Sequence, residues 1–163
     1  MSPQTDSNAE DAFDLGSGSA CRPQRVSASP RGMVAAQHYL ATEAGKEMLE
    51  AGGNAIDAAV ASAFALGVCE PAASGIGGQT MMLIHLAEEG RTIALDGSSK
   101  APHRATLDAV ETKASRLRGH RATTVPSTPA TLSHALEKFG TLKLSQVMAP
   151  AIRLAREGYP VTS

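Results

Sequence analysis

GGNAIDAAVASAFALGVCEPAASGIGGQ, residues 52–79, runs from a paired-glycine stop through a helix to a glycine-rich loop. Asn54 occupies the N-cap position, and Asp57, three residues on, makes a looser form of the capping box. From Ala55 to Val68 the only clearly polar side chains are Asp57 and Ser62. A helix without a polar face must be covered on all sides. Its uncharged part is too short for a bilayer, which takes about 18 or more apolar residues. The stretch is therefore expected to be the central buried helix of a soluble domain. Ala58, Ala59, Ala61, Ala63 and Ala65 let neighbouring elements approach it closely.

Upstream, residues 32–36 form a short apolar run that reads as a first strand. Residues 40–51 read as an amphipathic helix with Leu40, Ala44, Met48 and Ala51 on one face and Glu43, Lys46, Glu47 and Glu50 largely outside it. Gly52 stands where that helix needs a left-handed residue to stop. Downstream, Glu70 and Pro71 mark a boundary, and the glycine loop covers residues 74–79. TMMLIHLA, residues 80–87, is short and uniformly apolar, which predicts a buried strand. A turn at Glu88, Glu89 and Gly90 returns the chain as a second strand over 92–95, an antiparallel hairpin.

Residues 98–104 form a loop, and 107–118 a weak helix with a basic end at Lys113, Arg116, Arg118 and Arg121, read as a solvated surface. Residues 124–129 are a turn with two prolines. Helices are expected over 130–139 and 144–157, separated by Gly140, the second stopped by Gly158 with Pro160 beyond. The element order β, α, α, β, β, α, α, α implies an α/β (α+β) layered fold, with helices packed on a mainly antiparallel sheet.

The 163 residues suffice for one domain, but aromatics make up only 3% and Trp is absent, so alanine carries much of a core that buries little area per residue. A net charge of −1 carries no signature of nucleic acid or of an anionic membrane, and neither is expected as a partner. Cys21 and Cys69 are expected as unpaired thiols in a reducing compartment. Residues 1–31 are rich in Ser, Pro, Asp and Gly, are expected to be a disordered tail, and contain no apolar run of the signal-peptide kind. The expected location is cytoplasmic, with the folded region over 32–163.

The glycines Gly75, Gly77 and Gly78 follow a helix and precede a strand, the reverse of a dinucleotide or P-loop context. They read instead as backbone freedom and close packing near a site. His38, His85, His103, His120 and His134 show no metal-ligand spacing, and His85 reads as a core histidine within its strand. No Gly-x-Ser-x-Gly elbow occurs. The chain shows no complete catalytic constellation, and no metal or other cofactor is expected.

GMVAAQHYLATEAGKEMLEAGGNAIDAAVASAFALGVCEPAASGIGGQ, residues 32–79, resembles the amino-terminal end of the gamma-glutamyltransferase family, the glutathione hydrolases. Similarity continues through ALDGSSKAP, TVPSTPATL and APAIRLAREGYPV to the end of the chain, which spans the first third or less of a family member. The resemblance implies the four-layer αββα sandwich of the N-terminal-nucleophile hydrolases, of which this chain supplies part. It implies a precursor that cuts itself, with the new amino-terminal threonine of the small subunit as nucleophile and its α-amine as base. That threonine lies beyond Ser163, so no catalytic residue is assigned here, and the remainder of the precursor is the implied partner. Family members are often exported with a signal peptide, from which this chain departs.

The family's Asp-x-Arg-Glu-x-Ala-Pro motif resembles residues 96–102, DGSSKAP. Asp96, Ala101 and Pro102 match. In the family the arginine holds the α-carboxylate of the γ-glutamyl donor; here Ser98 stands in its place, Ser99 replaces the glutamate, and Lys100 follows two residues later. The implied substrate-binding residues are Ser98, Ser99 and Lys100, with Lys100 either a point charge at the pocket or a solvent-facing lysine. Residues 124–127, TVPS, resemble the family's Val-Pro-Gly turn, with Ser127 as a backbone adjustment. The reading is a fragment of an enzyme that transfers or hydrolyses the γ-glutamyl group of glutathione-like amides. The alternatives are an acylase or amidohydrolase of the same superfamily with another donor, and a non-catalytic, truncated structural piece.

Overall fold

The computed structural model describes residues 28–106, 108 and 117–161. The chain divides into two units, Met1–Pro30 and Arg31–Ser163, and the elements below belong to the second. The tail expected over 1–31 and Cys21 fall almost wholly outside the described residues, as does most of the weak helix expected over 107–118.

Helix α1 (Tyr39–Glu50) begins at His38, whose Nδ1 accepts from Leu40 N at 3.2 Å. It buries Ala41, Ala44, Gly45 and Met48. The buried face is thus turned slightly from the expected one, and Ala51 is exposed in the stop. The stop is a Schellman motif: Gly52 N donates to Leu49 O at 3.1 Å and Gly53 N to Met48 O at 2.9 Å, with Gly52 at φ +85°. Helix α2 (Ala55–Cys69) follows, with both halves of the capping box formed by Asn54 and Asp57. It packs on α1 at close range. A Cβ on Gly45 would collide with Ser62 Oγ, the Val34 side chain and Ala58 O. Ser62 Oγ donates to Ala41 O at 2.8 Å, satisfying the one other polar side chain of the helix.

The all-round covering expected for α2 is incomplete. Ala55 and Ala59 are exposed, and Ala63 and Leu66 half-buried. This stripe lines a 640 Å³ groove whose other wall is formed by residues 31–36. The strand expected over 32–36 is not formed. A strand needs a ladder partner, and the one sheet among the described residues has two strands that pair only with each other.

Those strands, β1 (Thr80–Leu86) and β2 (Arg91–Gly97), form the expected antiparallel hairpin, in register from Thr80 opposite Gly97 to Leu86 opposite Arg91. A one-turn 3₁₀ segment, Ala87–Glu89, and Gly90 at φ +58° connect them. One face carries Met82, Ile84, Ile93 and Leu95, of which Ile84 is fully buried. The other face is open, with Met81 67% and Leu83 78% exposed, so β1 is not the fully buried strand expected. An apolar run does not reveal whether one or both faces of a sheet are covered. His85 lies on this open face, outside the core, with Nδ1 3.0 Å from Thr92 Oγ1.

Helix α3 (Thr128–Phe139) takes Pro129 in its first turn, where no N–H is needed, and packs against the hairpin and α2. The single helix expected over 144–157 is two: α4 (Leu144–Val147) and α5 (Ala149–Glu157). Pro150 has no N–H to continue the ladder, so the chain restarts at Met148. Arg153 reaches Glu47 at 2.7 Å, joining α5 to α1, and Tyr159 Oη donates to Val68 O at 2.9 Å. Val60, Phe64, Leu132, Leu136 and Val147 fill the core around α2. Cys69 is an unpaired thiol at the end of α2, pushed up by burial and by the charge of Glu70. The fold is α+β, with helices layered on an antiparallel hairpin, and no helix among the described residues is long and apolar enough to cross a membrane.

Candidate functional site

Three chain segments distant in sequence meet at the C-terminal end of α2: the glycine loop, the end of β2 and the turn before α3. Gly78 O accepts from Ser127 N at 3.0 Å and Thr128 N at 3.3 Å. Thr80 Oγ1 donates to Thr128 Oγ1 at 3.0 Å. Ser127 Oγ donates to Gly97 O. Gly97 has no room for a Cβ, which would run into Thr131 Oγ1 and Thr80 O. The glycine at 97 is thus dictated by helix α3 lying directly on the strand. Ser127 adopts φ −123° and so needs no glycine; its hydroxyl fastens the turn to β2.

The serines that align with the donor-binding motif sit at this junction. Ser98 donates to Asp96 Oδ1 through N at 3.0 Å and Oγ at 2.5 Å. These two hydrogen bonds, side chain first, hold the Asp96 carboxyl below the usual carboxylate range. Ser99 donates to Gln79 Oε1 through N at 3.2 Å and Oγ at 3.3 Å. Lys100 pairs its backbone with Val125, whose N donates to Lys100 O at 2.9 Å, and its side chain is exposed. The structure therefore brings Ser98 and Ser99 together beside the glycine loop and anchors Lys100 only through its main chain.

Alongside lies a 480 Å³ cleft lined by Ala63 and Leu66 of α2, by the glycine loop including Gly75, Gly77 and Gln79, and by Thr128. No charged side chain lines it. Backbone groups, hydroxyls and small apolar surfaces can position an amide or acyl chain but cannot supply a nucleophile–base pair. Among the described residues no group of three or more His, Cys, Asp or Glu side chains is placed to hold a metal ion.

At the opposite end of α2 lies a buried carboxylate. Asp57 is 0% exposed and accepts from Asn54 N at 2.7 Å, Thr141 N at 3.0 Å, Thr141 Oγ1 at 2.8 Å and Leu142 N at 3.0 Å. Asn54 Nδ2 donates to Phe139 O at 2.6 Å. The cap of α2 thus holds the end of α3, more than eighty residues away in sequence. Sequence reasoning finds the capping box but not this second role, nor Gln79 as the partner of Ser99. The available signals were Gly53 and Gly140, where a Cβ would strike Leu142 and Asp57 respectively.

Comparison with known proteins gives the family of the chain. The gamma-glutamyltranspeptidase family profile matches residues 41–163. The chain is 40% identical over 147 residues to the glutathione hydrolase proenzyme of Bacillus subtilis (strain 168), covering 86% of this chain and 25% of that protein. It is 44% identical over 144 residues to the acylase ACY 1 proenzyme of Pseudomonas sp. (strain V22), covering 81% and 26%. Among solved structures, Helicobacter pylori gamma-glutamyltranspeptidase superposes with a TM-score of 0.76 at 45% identity, over 82% of this chain and 40% of that one. The chain spans about a quarter of the length of the curated relatives it matches, two of them named as proenzymes. The profile match over residues 41–163 places the chain in a family: it belongs to the gamma-glutamyltranspeptidases.

Proposed function

We propose that this chain is the donor-side part of an enzyme that transfers the acyl group of an amide to water or to an amino acceptor. The nucleophile and its base come from the remainder of the precursor. The observation that carries this reading is the junction at Ser98 and Ser99, held between β2 and the glycine loop beside an uncharged cleft. The donor is an amide of the γ-glutamyl type, the chemistry for which the family is named.

A second reading of the donor follows from one residue. Ser98 stands where the family motif carries a guanidinium, and its hydroxyl is turned to Asp96. Two hydroxyls and a nearby carboxylate favour an acyl group without an α-carboxylate, as in an acylase; one relative is named as such. Losing one partner of a desolvated, hydrogen-bonded charge pair costs about 2–5 kcal/mol. At about 1.4 kcal/mol per tenfold, that is roughly 30-fold to several thousandfold in kcat/KM.

The test compares γ-glutamyl and 4-aminobutyryl anilides, which differ by the α-carboxylate, in the full-length protein and its Ser98→Arg and Lys100→Ala variants. If position 98 faces the donor, Ser98→Arg raises γ-glutamyl turnover selectively. If Lys100 supplies the charge, Lys100→Ala abolishes the preference for the carboxylate. A strong γ-glutamyl preference that survives Lys100→Ala and is unmoved by Ser98→Arg counts against both assignments. Turnover of neither anilide, nor of any other acyl amide, counts against acyl transfer itself.

A further inference from the structure

We propose that Gln79 is a positioning residue for the donor site: its carboxamide oxygen latches the Ser98–Ser99 loop onto the end of the glycine-rich loop. The inference rests on the reading of residues 98–100 as donor contacts.

The two serines are clamped from two sides by anchors that differ in kind. Asp96 holds Ser98 from within the same turn and moves with it. Gln79 holds Ser99 from twenty residues away, through two hydrogen bonds to one oxygen. Its chain neighbours are fixed. Gly78 O is bound by Ser127 N and Thr128 N, and Thr80 Oγ1 by Thr128 Oγ1. Ser127 Oγ at Gly97 O and Val125 N at Lys100 O tie the residues on either side of the serines to the turn before α3; Gln79 adds the side-chain tie of Ser99 itself to the glycine loop. It also lines the 480 Å³ cleft, so latch and cleft share a wall.

A binding loop left free must be ordered when the donor binds, and that ordering weakens affinity; a loop held in advance avoids it. Such a residue touches no reacting atom. Its loss raises the donor KM and leaves kcat, the acceptor KM and the melting temperature unchanged.

The experiment uses the full-length protein with Gln79→Met, which keeps length and flexibility but removes the acceptor, and Gln79→Glu, which keeps it. The kinetic arm uses whichever of the γ-glutamyl and 4-aminobutyryl anilides wild type turns over, with glycylglycine as acceptor. The second arm follows hydrogen exchange at the Ser99 amide. The expected result is a donor KM about tenfold higher in Gln79→Met, equivalent to about 1.4 kcal/mol. Ser99 exchange is expected to be faster in Gln79→Met and near wild type in Gln79→Glu. An unchanged donor KM in Gln79→Met overturns the proposal. So does a fall in kcat or melting temperature without a selective donor effect, since that marks a general structural role. Equal Ser99 exchange in wild type and Gln79→Met also overturns it. A wild-type protein that turns over no acyl donor overturns the acyl-transfer reading and this proposal with it, whereas an active wild type with an indifferent Gln79→Met overturns this proposal alone.

Discussion

Asp57 shows how much one side chain in this chain connects. Its carboxylate is sealed from solvent, with donors from Asn54, Thr141 and Leu142 arranged around it. Asp57→Ala leaves those donors without an acceptor in a closed space. Hydrogen bonds to a charged group are worth about 1.5–3 kcal/mol each, and orphaned donors add to the loss. A destabilisation of at least about 3 kcal/mol is expected, read as a lower urea midpoint at unchanged slope. Burial pushes the Asp57 carboxyl up, but the hydrogen bonds from Leu142, Asn54 and Thr141 outweigh it, and the net position is below 3.8. A folded-state value below the unfolded one adds stability above about pH 4, which is lost as the pH falls through the folded value. The gap between wild type and Asp57→Asn, which does not titrate, is therefore expected to stay level above about pH 5 and to narrow as the pH falls below about 4. A gap that stays constant below about pH 4 as well means that the carboxylate charge contributes nothing.

At the scale of elements, α2 organises the rest, and its two sides can be weighed by substitution. Phe64 is 6% exposed at the centre of the core. Phe64→Ala is expected to cost roughly 3–5 kcal/mol. Lys46, on the outer face of α1 with its ammonium shared between Glu43 and Glu50, should cost less than about 0.5 kcal/mol as Lys46→Ala. Comparable losses in urea midpoint for the two variants refute the assignment of faces. Helix α2 was legible in the sequence because its cap, its scarcity of charge and its boundary at Glu70 and Pro71 are all local. The hairpin was legible for the same reason. The break between α4 and α5 was also written locally, in Pro150, but an apolar period running across it masked the signal. Residues 32–36 are a different matter, since strand formation depends on a partner that no window around Val34 contains. The loop at Ser98 and Ser99, proposed as the donor contact, was singled out through its likeness to a motif. What holds it was not, because the Gln79–Ser99 and Asp57–Thr141 contacts join residues twenty and eighty-four apart.

The whole molecule presents apolar surface that its own described elements leave open. Met81 and Leu83 stand on the outer face of the hairpin, Ile76 at the tip of the glycine loop is 63% exposed, and the Ala55, Ala59, Ala63 and Leu66 stripe lines a groove. The relatives carry about three quarters of their length outside the matched region. The cleft beside Ser98 and Ser99 is lined by no nucleophile paired with a base, so the 163-residue chain alone is expected to turn over no γ-glutamyl or other acyl anilide above a boiled control. Exposed patches of this kind drive association when nothing covers them. The isolated chain is therefore expected to sediment as oligomers at micromolar concentration. Leu83→Lys places a charge at the most exposed of these positions, opposite Ala94 in the register, where the strand itself loses little. In the isolated chain it should shift the sedimentation profile toward monomer. In the full-length protein, if the remainder of the precursor packs on this face, the same lysine is buried without a partner and should lower stability by roughly 2 kcal/mol or more. Opposite signs in the two proteins identify the outer face of the hairpin as an interior surface of the assembled enzyme, and equal, negligible effects in both identify it as ordinary solvent-facing sheet.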